Sequence, residues 1–215
     1  MTGLRRFVAE EPVRQAPALA RLVPPRSKPA RACELCAVEL AAEHRHLVDR
    51  HRHALACACR ACALLFDQPR AADGRYQVVP ERYARISPFT ITPLQWNALQ
   101  IPVGLAFFMR TAERTVAFYP SPAGATESEL VLDAWEEVVA ANPTLEDVAA
   151  DTEAALVRFR VGTPECYIVP IDRCYELVGR LRTSWRGFDG GPEVGERIAA
   201  FFDDVRARSR PVGGP

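Results

Sequence analysis

Five of the seven cysteines and all four histidines of this 215-residue chain fall in the thirty residues from Cys33 to Cys62. Cys33-Glu-Leu-Cys36 and Cys59-Arg-Ala-Cys62 are two Cys-x-x-Cys pairs, each able to close a tight turn that aims two thiolates at one ion. Cys33, Cys36, Cys59 and Cys62 together supply four soft donors, the donor set of a closed, tetrahedral structural zinc site. One Zn2+ per chain is therefore expected. The pairs are 22 residues apart, slightly beyond the usual spacing of about 15 to 20. His44 to Asp49 and Arg52 to Cys57 read as two strands about a turn at Asp49-Arg50, which makes the segment zinc-ribbon-like.

Cys57 is spare, and three readings of it stand. It is a buried thiol outside the site, a ligand in place of Cys59, or part of a set holding an iron–sulfur cluster, the alternative cofactor. The cysteine spacing matches neither common ferredoxin run. A dithiol redox pair would precede a helix within a βαβ unit, and neither pair is expected to do so. His44 and His46 are two apart and share a strand face, and His51 and His53 repeat the spacing. A second metal site built from histidines competes with solvated rings, or rings that orient the cysteines from outside the ligand set, and the latter is favoured. Ligation by one histidine in place of a cysteine stays open, so Cys57, His44 and His46 are the alternate metal ligands.

Outside this segment the chemistry thins out. Cys174 lies on an apolar helical stripe and reads as a packed side chain. Cys166 faces either the core or a cleft, with no histidine near it in sequence. Asp172, Asp189 and Glu193 are candidates for acid–base work that nothing separates from caps and surface acids. Phosphate loops, nucleophile elbows and dinucleotide fingerprints are absent. No catalytic residue is assigned.

The elements that must position the cysteines follow from composition and periodicity. An apolar fraction of 48% with 25% charged residues is that of a folded globular chain. Residues 1–32, with five prolines, read as a flexible arm. Residues 33–66 form the metal module, 75–209 an α+β domain of mixed antiparallel sheet plus helices, and 210–215 a disordered tail. Ile101 to Met109 is too short to cross a bilayer, and Glu10, Glu11 and Pro12 occupy the place of a signal's apolar stretch, so a cytoplasmic protein is expected. Formal charge is zero, with a basic first third and an acidic block from Glu127 to Glu153. The block reads as the solvated face of helices, with a docking surface as the alternative, and nothing points to nucleic acid.

Tyr76 to Pro80 reads as a strand, Thr92 to Leu99 as a short helix with Pro93 in its first turn, and 103–110 with 115–119 as a hairpin. After a loop at 120–125, Thr126 and Glu129 form a capping box that predicts a helix to Asn142, burying Leu130, Ala134, Val138 and Ala141. Strands at 155–161 and 166–169 precede a helix from Pro170, whose stripe is Ile171, Cys174, Val178, Leu181 and Trp185. A last helix spans Pro192 to Ser209. The Trp185-to-Pro192 loop reads as a connection or the wall of a pocket.

Cys33-Glu-Leu-Cys36, His44-Arg-His-Leu-Val-Asp49, Cys57 to Phe66, Trp96 to Gly104 and Trp185 to Gly191 together resemble an uncharacterised actinobacterial domain-of-unknown-function family, DUF5947-like, over most of the chain after residue 31. The resemblance implies genes beside those of uptake [NiFe] hydrogenases. It thereby implies an accessory or maturation role with a protein partner, a hydrogenase subunit or another maturation factor. The expectation is a zinc-binding accessory, assembly or adaptor protein in preference to an enzyme. The alternative is an iron–sulfur or dithiol redox protein or small enzyme using the cysteine cluster.

Overall fold

Asp49 turns the chain back on itself at the tip of the metal module. Its Oδ1 accepts from the backbone N–H of His51 at 3.1 Å and of Arg52 at 3.2 Å. On either side β1 (Arg45–Asp49) and β2 (Ala54–Ala58) pair antiparallel, with Asp49 opposite Ala54 and His46 opposite Cys57. This is the hairpin expected between the two cysteine pairs. β3 (Tyr76–Val78) joins the free edge of β1, giving the order β2-β1-β3. Between β2 and β3 runs α1 (Arg60–Phe66), a helix that sequence reasoning missed. Its N-cap is Cys59, so the second cysteine pair does open a helix, against expectation.

This computed structural model describes residues 31–68, 71–111, 114–128, 132–186 and 191–213. The arm up to residue 30, Glu129, Leu130, Asp189 and the middle of the 185–192 loop lie outside the described residues. The fold is α+β, as expected. β4 (Ala84–Ile86), β5 (Leu105–Arg110), β6 (Thr115–Ser121), β7 (Gly124–Ser128), β8 (Glu153–Arg158), β9 (Glu165–Pro170) and β10 (Arg210–Val212) form one sheet, ordered β10-β4-β9-β8-β5-β6-β7. All pairs are antiparallel except β10 beside β4.

Alternation along the central strands splits the core in two. Ala106, Phe108, Ala155, Val157, Cys166 and Ile168 bury one face under α2 (Pro93–Ala98) and α3 (Leu132–Ala141), where Phe108 stacks on Trp135 with ring centroids 3.9 Å apart. Leu105, Phe107, Ala154, Leu156, Tyr167 and Val169 bury the other under α4 (Ile171–Ser184) and α5 (Pro192–Arg208). Covered on both sides, these strands are apolar at nearly every position. The capping box Thr92/Gln95 fixes the start of α2. The metal module adds to the second core: Val48, Val79 and Leu55 pack into it, so the small sheet lies against the α4/α5 side.

Four expectations need correction. The capping box expected at Thr126 is not formed, because Thr126 lies inside β7, opposite Tyr119, with its hydroxyl donating to Ser121 Oγ at 2.8 Å. Pairing along β6 outcompeted the local signal, and residues 120–125 hold a strand turn, not a loop. In α3 Ala134, Trp135 and Val138 are buried while Ala141 is exposed. At the other end Arg210–Val212, expected to be disordered, form the edge strand β10, where Pro211 lacks only a hydrogen bond that an edge can spare.

Candidate metal centre

The first cysteine pair is a small loop closed on itself. The backbone N–H of Cys33 donates to Val38 O at 2.8 Å, that of Ala37 donates to Cys33 O at 2.8 Å, and Ala32 bridges Glu39. Ala37 takes a left-handed φ of 60° to complete the turn. Glu34 fastens this loop to β2: its N–H donates to Cys57 O at 2.9 Å and its Oε1 accepts from Cys57 N–H at 2.7 Å. The second pair occupies the start of α1, with Cys62 N–H donating to Cys59 Sγ at 3.4 Å.

These two constructions meet. One ligand atom from each of Cys33, Cys36, Cys59 and Cys62 lies within 4.8 Å of the others, and the sulfurs of Cys36 and Cys59 are 3.7 Å apart. A regular tetrahedron with metal–sulfur bonds of about 2.3 Å has edges of about 3.8 Å, so the donor set fits a single tetrahedral ion. Of the four, Cys33 is buried together with Leu47 and Ala58, and Phe66 and Tyr76, their ring centroids 5.0 Å from each other, pack against this cluster.

The electrostatics of the four thiols are uneven. Burial raises Cys33, but backbone N–H groups of Cys59, Leu35 and Cys36 outweigh it and hold this thiol at about 6, a thiolate at neutral pH. Cys62 is pushed up to about 12 by burial and then by the sulfurs of Cys36, Cys59 and Cys33. Cys36 is raised too; the Val38 N–H lowers it, and the neighbouring Cys33 raises it. Negative charge accumulates here only at mutual cost, which a divalent cation among the sulfurs offsets.

Cys57 stands apart from the four. It groups with His44 and His46, one ligand atom from each lying within 4.8 Å of the others. The register that sets His46 opposite Cys57 puts both on the sheet face turned toward α4. His46 Nδ1 meets Asp172 Oδ2 there at 2.8 Å. His51 and His53 are exposed in the turn. The acid–base candidate Asp172 is thus a partner of the module, and Glu193 pairs with Arg197 on the first turn of α5. Cys166 and Cys174 are fully buried in opposite cores, and burial raises both thiols.

Sequence reasoning missed the Asp172 contact, which spans 126 positions and leaves no local signal. The acidic block is mostly surface: Asp133, Glu136, Glu137, Glu146 and Asp147 are exposed, while Glu153 is buried against Arg82 and Asp151 pairs with Arg50 of the module. No helix among the described residues is long and apolar enough to cross a membrane.

No curated protein and no solved structure matches the chain. A family model does, over residues 32–209, which takes in both cysteine pairs and all of the main sheet except β10. The chain belongs to the family of unknown function DUF5947.

Proposed function

We propose that the protein is a zinc-stabilised accessory or adaptor protein, in which one tightly held Zn2+ on Cys33, Cys36, Cys59 and Cys62 shapes a module that docks on another protein. The observation that carries this reading is the closeness of the four sulfurs, all within 4.8 Å. An iron–sulfur cluster interposes several atoms between its ligating sulfurs and holds them farther apart than one ion does. Four protein donors also complete a tetrahedron and leave no position for substrate, the mark of a structural site. Leu64 and Leu65 of α1 are 62% and 64% exposed on the same module, which supports a protein partner. The family resemblance implies that this partner is a [NiFe] hydrogenase subunit or maturation factor.

A second reading, a dithiol redox pair, draws on Cys59 at the start of α1. Metal analysis of anaerobically purified protein separates the two. About one zinc per chain that survives a mild chelator, colourless protein, and thiols of the four-cysteine set that resist alkylation until that zinc is removed support the zinc-stabilised reading. Bound iron, or metal-free protein with a reversible disulfide, would sink it. Capture of partners from the native host by the tagged full chain, with Leu64 and Leu65 replaced by serine in parallel, tests the docking role.

A further inference from the structure

We propose that His44, His46 and Cys57 form a second metal site, distinct from the four-cysteine centre, which takes a divalent transition ion of the zinc class and leaves one coordination position open to a cleft. Their ligand atoms lie within 4.8 Å of one another. Two imidazoles and one thiolate are a borderline donor set suited to zinc or cobalt(II). Three protein donors leave a tetrahedral ion one vacant position, the pattern of sites that bind water or an exchangeable ligand.

The hydrogen bonds around the histidines prepare them for this role. His44 Nδ1 lies 3.0 Å from the carbonyl of Ala41, which can only accept, so Nδ1 carries the proton and Nε2 keeps its lone pair. His46 Nδ1 donates in the same way to the Asp172 carboxylate at 2.8 Å, a carboxylate–histidine pairing of the kind that orients metal-ligating rings. The ladder fixes Cys57 directly across from His46. Backbone register, a loop carbonyl and an acid at the head of α4 converge on one point.

A second, independent observation marks the same place. Three buried side-chain polar atoms lack a hydrogen-bond partner among the described residues: His44 Nε2, Asp172 Oδ1 and Arg173 Nε. His44 and Asp172 line, with His46 and Cys57, one cleft of about 1380 Å³, where the Arg173 guanidinium is engaged by Glu176 and Asp204. An orphaned buried polar atom costs about 1–3 kcal/mol. His44 Nε2 is a lone-pair acceptor and Asp172 Oδ1 a carboxylate oxygen, both of which a cation satisfies, whereas the N–H of Arg173 Nε is a donor that a cation cannot serve.

Cobalt(II) titrated into the purified full chain, stripped of weakly held metal so that one zinc per chain remains, tests the site, read by thiolate-to-cobalt charge transfer in the near ultraviolet and by metal analysis. Wild type binds one further ion per chain with a single-thiolate band. Cys57→Ser loses that band, His44→Ala weakens binding, and Asp172→Asn weakens it by about 10–100-fold without changing the saturating stoichiometry. The four-cysteine zinc stays at one per chain in all variants and doubles as the check that each has folded. Absence of a second ion in wild type overturns the proposal, as does a band that survives in Cys57→Ser, which would place cobalt in the four-cysteine centre.

Discussion

Replacing Cys36 or Cys62 by serine should weaken the structural centre's hold on zinc, whereas Cys57→Ser should leave it unchanged. A structural four-thiolate zinc site carries an apparent binding free energy of about 10–16 kcal/mol at neutral pH. Shared equally over four donors, the loss of one thiolate amounts to about two to three powers of ten in zinc affinity. Cys36 is exposed, so its replacement by a side chain of similar shape disturbs little packing and any loss must come from ligation. Cys57 belongs to the other group, and its sulfur is not among the four donors of this centre. The assay is zinc retained per chain against chelators of graded strength, with hydrogen exchange of residues 33–66 as the readout of local folding. If Cys57→Ser releases zinc as readily as Cys36→Ser while Cys59→Ser retains it, the ligand assignment is wrong even though the metal site stands.

Two predictions concern the frame around the centres. Glu153 is 1% exposed and is held by Arg82 at 2.7 and 2.8 Å, with one further bond from Ala149 N–H. Arg82→Met therefore strands a buried carboxylate and should cost about 3 kcal/mol, or roughly 6–12 °C in melting temperature for a chain of this size; a drop of under 2 °C would show the carboxylate to be solvated. The Arg75 guanidinium holds Asp49 at about 2, well below the usual carboxylate range, so this pair stabilises the fold fully above pH ~4 and loses its effect as the pH falls towards 2. Wild type should lose more stability than Asp49→Asn across that window in chemical denaturation, both forms losing zinc alike, and parallel profiles would refute the assignment.

How much of this was legible in the sequence depended on where each signal lay. The short helix α2 behind Thr92-Pro93, the apolar stripe of α4, the span of α5 and the β5/β6 hairpin rest on local signals, and they appear close to where the sequence places them. The two cysteine pairs were equally plain. α1 was not: seven residues long and capped by a cysteine instead of the usual serine, threonine or aspartate, it hides among residues that read as ligands. β4 and β10 are three residues each, and their pairing joins positions more than a hundred residues apart. The grouping of Cys57 with His46 was within reach, because a turn from Asp49 to Ala54 fixes their register; Asp172 was not.

The docking of Val48, Val79 and Leu55 on the α4/α5 core has a consequence for biosynthesis. All four sulfurs have been made once Cys62 has been added, and the apolar bed beneath them is complete by Val78. The opposite face of the same small sheet depends on Ile171, Phe201 and Val205, more than a hundred residues downstream. On the ribosome the module would capture its first ion early and then expose an apolar face until the C-terminal helices emerge. Asp172 arrives with those helices, so the His44–His46–Cys57 cleft closes last, and the two proposed sites would fill in the order of synthesis.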